Sequence, residues 1–447
     1  MTTNATARPT LPTPPADSTD SQSKESTDAG GTVTATTGPL TVGGKGPGGL
    51  TIATLGGPPS GTPARGETPA LNGPTFGGFY NVQLELGSGF TSTTLKLHGT
   101  PSSSLFWWDG TTWQKVPGVT RDPKTGDLSV TIDATTTPSI SDLANANFAG
   151  GATPVTRLGG ADRTETAVTV SHADYPARGS ASAVVIARDD VFADALTGGP
   201  LAAAKNGPVL LAGSTILPTS VRDEMRRVLP AGGTVYVLGN SSAISDGVAG
   251  AISALGFKVQ RIGGADRYAT AVAIANALGN PSTVFEASGV DFADALSAGP
   301  AAIANHGAVL LTGKGIQAGA TSTYLAAHTG AARFAVGGHA GSADVKATAL
   351  VGADRYATAA LVAAKFFTKP SVTGVATGQN FADSMVAVPS LGKRNAPLLL
   401  VPSDGAMPSS VASYLQAHAA TITSATTFGG VKAVSDNVLK QVQQATP

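Results

Sequence analysis

The chain has 447 residues, 41% apolar and 13% charged, with 29 basic and 29 acidic side chains and no net charge. That length is enough for roughly two to four domains; the charge balance excludes a nucleic-acid binder held by a strong basic field but leaves room for a local basic pocket facing an anionic polymer. The absence of cysteine excludes disulfides, Cys-ligated zinc and a thiol nucleophile, and no apolar run approaches the ~20 residues of a membrane span.

The opening stretch, MTTNATARPTLPTPP, has neither the basic n-region nor the apolar h-region of a signal peptide. If the protein is exported, its signal has been removed or lies outside this sequence. Residues 1–70 are dominated by Thr, Pro, Ser, Gly and Ala with almost no bulky apolar groups. Such a composition buries too little surface to offset ordering entropy, and it predicts a disordered tail.

Residues 71–150 change to a strand pattern. FYNVQLELG and TTLKLHG alternate with period two, SSLFWWDGTTWQKVPG places two strands around Asp109-Gly110, and RDPKTGDLSVTID adds a further turn and strand. The pattern predicts a small antiparallel β-sandwich of immunoglobulin-like type. Trp107, Trp108 and Trp113 all fall in one hairpin. They serve either as a core anchor or as a platform on which a sugar face can stack.

From Thr153 the chain becomes α/β and repeats itself. RLGGADRTETAVTVS, RIGGADRYATAVAIA and ALVGADRYATAALVA place the same aspartate at Asp162, Asp266 and Asp354, with spacings of 104 and 88 residues. A Phe-Ala-Asp segment follows each time, with its carboxylate at Asp194, Asp294 and Asp383, and then an apolar strand ending in small residues: VYVLGNSSAIS, RFAVGGHAGSA and TTFGGVKAVS. Three markers in one order, three times, define repeats at 153–259, 260–346 and 347–447. Within each, buried strands such as AVVIA and PVLL alternate with helices, which predicts a parallel sheet covered on both faces: a small Rossmann- or flavodoxin-like module. Pro200, Pro300 and Pro389 fall inside the Phe-Ala-Asp helices and predict a kink or a restart there.

The repeated Asp-Arg has a structural and a ligand-binding reading. An aspartate just before a helix caps its free N–H groups, while the arginine can pair with a Phe-Ala-Asp carboxylate of its own or a neighbouring repeat. Alternatively, guanidiniums left free in a groove between repeats can grip phosphate or carboxylate oxygens as a planar fork. The two readings overlap, because an aspartate can hold an arginine that also meets ligand. The glycine pairs Gly159-Gly160 and Gly263-Gly264 lack the spacing of a nucleotide loop.

Catalytic constellations leave no trace. His98, His172, His306, His328, His339 and His418 share no repeated position, and the α/β region has no G-x-S-x-G elbow. The few glutamates (Glu25, Glu67, Glu85, Glu165, Glu224, Glu286) make a paired-glutamate glycosidase improbable, and the adjacent Asp189 and Asp190 read as solvated loop carboxylates. No catalytic residue, metal ligand or cofactor is assigned.

The set RIGGADRYATAVAIA, FADALSAGP, VLLT and a VGG strand end closely resembles the type-2 cell wall binding repeat of Gram-positive bacteria. The resemblance covers about 295 residues, Thr153 to the C-terminus, in three copies. It implies three Rossmann-like modules in a pseudo-threefold arrangement, and non-covalent, non-catalytic attachment of a secreted surface protein to an anionic secondary polymer of the cell wall. Carried over residue by residue, it implicates Arg163, Arg267 and Arg355 in polymer binding. Asp162, Asp266, Asp354 and the Phe-Ala-Asp carboxylates Asp194, Asp294 and Asp383 are their partners. The copies are unequal: Arg157 and Arg261 give way to Ala349, the first glycine of the pair becomes Val351, Thr164 stands where the others have Tyr268 and Tyr356, Asn240 replaces a strand-end glycine, and Ser384 replaces an alanine. One or two competent clefts are therefore as compatible with the sequence as three. Two other functions stay open: an extracellular adhesive or surface-layer protein working through protein contacts, and the targeting module of a wall hydrolase. The latter is disfavoured by a short, β-rich non-repeat region holding only His98.

Overall fold

The computed structural model describes residues 11–26, 31–59, 75–85, 88–99, 104–111, 113–122, 124–192 and 194–446. They fall into two compact units: one runs up to Pro154 and includes Ala419–Thr423, and the other comprises Val155–His418 and Ser424–Ala445.

The first unit contains eleven strands: β1 (Ser18–Ser26), β2 (Thr32–Thr37), β3 (Leu40–Lys45), β4 (Gly48–Leu55), β5 (Thr75–Leu84), β6 (Ser92–Leu97), β7 (Ser104–Trp108), β8 (Trp113–Lys115), β9 (Thr120–Arg121), β10 (Leu128–Asp133) and β11 (Ala146–Ala152). They pair antiparallel in two sheets, ordered β1-β4-β5-β11-β7-β8 and β2-β3-β6-β10-β9. Alternate side chains from both sheets, among them Leu40, Ile52, Val82, Leu97, Ile132 and Phe148, enclose one apolar core. The Asp109-Gly110 hairpin is present, with Trp108 opposite Trp113. Trp107 packs against the core, while Trp108 and Trp113 meet edge to face at 5.6 Å.

These strands correct the expectation of a disordered tail over 1–70, because β1 to β4 occupy Ser18–Leu55. Composition misleads here because bulk is not required of every residue in a strand. Threonine itself favours the pleated backbone, and Val33, Ala35, Leu40, Val42, Leu50 and Ile52 are enough to face the core. Residues 1–10, 27–30 and 60–70 of that predicted tail lie outside the described residues.

The second unit begins with β12 (Val155–Leu158) and then runs through three similar passages. The first has α1 (Arg163–Asp174), β13 (Ala183–Arg188), α2 (Gly198–Ala204), β14 (Val209–Ala212), α3 (Thr219–Val228), β15 (Thr234–Leu238), α4 (Asp246–Ala254) and β16 (Lys258–Ile262). The second has α5 (Arg267–Ala277), β17 (Thr283–Ser288), α6 (Ala293–Ala304), β18 (Ala308–Thr312), α7 (Gly319–Ala327), β19 (Ala332–Val336), α8 (Gly338–Ala343) and β20 (Thr348–Leu350). The third has α9 (Arg355–Phe366), β21 (Val372–Thr377), α10 (Ala382–Lys393), β22 (Leu398–Val401), α11 (Ser409–Ala417), β23 (Ser424–Phe428) and α12 (Asp436–Ala445).

Three parallel four-stranded sheets result, ordered β14-β13-β15-β16, β18-β17-β19-β20 and β22-β21-β23-β12. The strand leading into each Gly-Ala-Asp-Arg motif therefore belongs to a different sheet from the one its following helix covers: α5 packs on β18, α9 on β22 and α1 on β14. The last sheet is completed by β12, from the start of the unit, so the three sheets are linked in a cycle.

At the centre α2, α6 and α10, the helices of the Phe-Ala-Asp segments, pack on one another. The proline in each has two outcomes. In the first repeat the helix restarts at Gly198, with Pro200 in its first turn, whereas α6 and α10 run on through Pro300 and Pro389. Close approach depends on glycine: a Cβ at Gly199 or Gly299 would lie 2.3 or 2.5 Å from the same buried Val388 methyl. Gly299→Val forces that methyl aside and is expected to destabilise the unit by about 1–3 kcal/mol. Urea unfolding measures it, and an unchanged midpoint would show that the helices do not meet there.

Candidate functional site

The recurring motifs converge at the seams between repeats. Asp162, Asp266 and Asp354 are helix N-caps: the first accepts from Thr164 N and Glu165 N at 2.9 Å, and the others from Ala269 N and Ala357 N at 2.8 Å. The Thr164 hydroxyl and the Glu165 amide hold the Asp162 carboxyl below the usual carboxylate range. A threonine in each helix supports the same turn, since Gly160, Gly264 and Gly352 each donate their N–H to Thr166, Thr270 or Thr358 at 3.1 Å.

The three arginines that follow do not seek the Phe-Ala-Asp carboxylates. Arg163 donates through Nη1 to the carbonyl of Asp189, Arg267 to that of Gly289 at 2.5 Å and Arg355 to that of Gly378 at 2.5 Å, each at the end of a strand in its own repeat. Each guanidinium also lies over a phenylalanine of the adjoining repeat: Arg163 over Phe381 at 5.8 Å, Arg267 over Phe192 at 5.5 Å and Arg355 over Phe292 at 5.4 Å. The three rings themselves meet, with centroids 5.8, 5.9 and 6.2 Å apart. Among the described residues these arginines make one ion pair, Arg355 Nη2 to Asp291 Oδ2 at 3.1 Å. The expected pairing with Asp194, Asp294 or Asp383 is thereby corrected: the nearer carbonyl oxygen and ring face satisfy the planar group first.

Those three carboxylates sit instead under the glycine that ends the third strand of their own repeat. A Cβ at Gly239, Gly337 or Gly429 would lie 2.7, 1.8 or 2.6 Å from an oxygen of Asp194, Asp294 or Asp383, and all three glycines have positive φ (86°, 83° and 105°). The glycine-ended strand is thus explained by the carboxylate beneath it. Burial pushes Asp294 up to about 6, helped by the charge of Asp291 and opposed by Arg355. Burial also raises Asp383, against a hydrogen bond from Thr166 and the charge of Arg163.

The seam between the third and first repeats opens into a cleft of about 690 Å³, lined by Asp162 and Arg163 on one side and by Gln379, Asn380, Asp383 and Lys432 on the other. Sequence reasoning missed Gln379, Asn380 and Lys432, which stand at positions where the other repeats carry different residues, and so left no repeating signal. It also left the phenylalanines Phe192, Phe292 and Phe381 without a role, although their recurrence beside each aspartate was such a signal.

The repeats match the family model of cell wall binding domain 2 at residues 157–249, 261–344 and 349–439. With more than half of its residues matched, the chain belongs to the cell wall binding domain 2 family. It is 30% identical over 252 residues to the N-acetylmuramoyl-L-alanine amidase LytC of Bacillus subtilis, covering 55% of this chain and 50% of that protein. It is 27% identical over 252 residues to the amidase enhancer of the same species, covering 56% of this chain and 35% of the relative. The chain thus spans half or less of the curated relatives it matches. Among solved structures, Cwp8 of Clostridium difficile shares the fold at TM-score 0.60 and 21% identity, over 80% of this chain and 59% of that one. Cwp6 of the same species does so at TM-score 0.61 and 20% identity, over 82% and 66%.

Asp294 also gives the unit a pH dependence. Its carboxyl titrates near 3.9 when unfolded and at about 6 when folded. Between those values the folded chain keeps a proton that the unfolded chain has released, so stability falls as pH rises through the window and stays lower above it. Asp294→Asn removes that loss. Its urea midpoint is expected to drop less than the wild-type value between about pH 4.5 and about pH 7, and an equal drop would count against the buried carboxyl.

Proposed function

We propose that the three repeats hold a secreted surface protein non-covalently on the Gram-positive cell wall by binding an anionic secondary polymer, with no catalytic step. The observation that carries this reading is the family match across all three repeats, whose seams each present an arginine at a capped helix start. The ligand-facing set is drawn from Arg163, Arg267 and Arg355, with Asp162, Asp266, Asp354, Asp194, Asp294 and Asp383 bracing the seams.

The modules read as flavodoxin-like sheets, a reading supported by their 2-1-3-4 strand order. The cycle of shared strands and the meeting of α2, α6 and α10 support a pseudo-threefold arrangement. The antiparallel unit reads as an immunoglobulin-like domain displayed by the anchor, and its own partner is a surface protein or glycan. The partial likeness to an amidase and an amidase enhancer does not favour the repeats as the targeting module of a hydrolase.

Co-sedimentation of the full chain with Gram-positive walls tests the anchor. The chain is expected to pellet with intact walls, to stay in solution with walls stripped of their secondary polymer, and to be released as salt rises. Equal pelleting with both, or with neither, would overturn polymer recognition; equal binding would favour the alternative of a surface-layer or adhesive protein acting through protein contacts.

A further inference from the structure

The three seams are built alike and then made different by a few side chains. At the seam of the third repeat with the second, Arg355 is neutralised by Asp291 at 3.1 Å, and Val351 stands where the other repeats have glycine, its side chain against Gly341. His339 there is engaged with the hydroxyl of Ser288 at 3.2 Å. At the seam of the second repeat with the first, exposed Val191 takes the sequence position of Asp291, and Arg267 makes no ion pair among the described residues. Asn240 then reaches across that seam to donate to the carbonyl of Gly264 at 3.2 Å, bracing its mouth.

The seam of the first repeat with the third has none of these closures. Asn380 stands where Asp291 does, and Gly430 replaces the bridging Asn240. Arg163 has no carboxylate within 4.0 Å among the described residues, and exposed Lys432 lines the same cleft of about 690 Å³. Gln379 spends its carbonyl oxygen on the N–H of Ser403 at 3.1 Å and Asn380 spends its own on that of Ala382 at 3.4 Å. Both amide NH2 groups are left without an acceptor among the described residues. The Asp162 carboxylate is turned into the amides that open α1, where the helix dipole offsets its charge. A guanidinium, an ammonium and two amide donors thus line one open cleft, beside the Asp383 carboxyl, whose ionisation burial disfavours.

We propose that this seam alone takes the anionic group of the ligand, and that the group is a phosphate or carboxylate carried on a sugar or polyol. The guanidinium and ammonium grip the anion, while Gln379 and Asn380 meet neighbouring hydroxyls. The inference rests on the wall-anchor reading and narrows it to one site per chain.

The test uses the full chain pelleted with intact Gram-positive walls. Asn380→Asp places beside Arg163 the carboxylate that silences Arg355, and Lys432→Glu reverses the second charge; both side chains are exposed, so thermal melting is expected to be unchanged. Each is expected to weaken wall binding at least about tenfold, the scale of losing one charge-assisted contact. Val191→Asp, which makes the matching change at the second seam, is expected to leave binding unaltered. Wild-type affinity in Asn380→Asp and Lys432→Glu, or an equal loss in Val191→Asp, would overturn the single-seam assignment while the anchor stands. A wild-type chain that fails to distinguish intact from stripped walls would remove the anchor and this inference together. Glycerol phosphate and glucuronate, added separately at matched ionic strength, tell the two anions apart by which one releases the chain. Release by neither would overturn the assigned ligand chemistry.

Discussion

Three guanidiniums and three phenylalanine rings at the seams are what the second unit depends on. Each arginine is tied to its own repeat by a main-chain carbonyl and to its neighbour by a ring face. The rings in turn touch one another where α2, α6 and α10 start or lead in. A cation stacked on an aromatic face is worth about 0.5–2 kcal/mol, depending on how far it is desolvated. Three such contacts in a cycle can fix the mutual placement of repeats that the chain joins only in series.

Strand exchange reinforces the same arrangement. Every repeat lends its lead-in strand to another sheet, and β12 closes the cycle by pairing with β23. Arg157 fastens that closure through the carbonyls of Gly429 and Val434 and the carboxylate of Asp436. Arg261 does the same for β16 through Gly239 and Asp246. Ala349 makes no such contact at β20, so the third lead-in strand is held by its ladder and by the repeat packed after it.

A scaffold that repeats its geometry can vary its chemistry at little cost. The capped helix start, the carboxylate under a glycine and the arginine between carbonyl and ring are kept in all three repeats because each repeat needs them to pack. The positions beside them, Val191, Asp291 and Asn380, or Asn240, Gly338 and Gly430, differ from repeat to repeat. Asp291 pairs with Arg355, whereas Arg163 and Arg267 make no ion pair among the described residues. The family match covers all three repeats, while these neighbouring residues differ from seam to seam.

The sequence by itself determined the repeat, its helix caps, its parallel strands and the hairpin at Asp109-Gly110, because each is written in local periodicity or in the residue types a turn demands. It also singled out Asp162, Asp266 and Asp354 correctly as caps. It misjudged Ser18–Leu55, where small and β-branched residues reach the core only because a second sheet lies opposite. Only the tertiary structure decided which sheet each lead-in strand joins and which group each arginine meets. Those contacts join residues as far apart as Arg157 and Gly429, separated by 272 positions. No local pattern records a choice made by shape and charge across the seams, where a single side chain such as Asp291 gives one arginine an ion pair that its counterparts lack among the described residues.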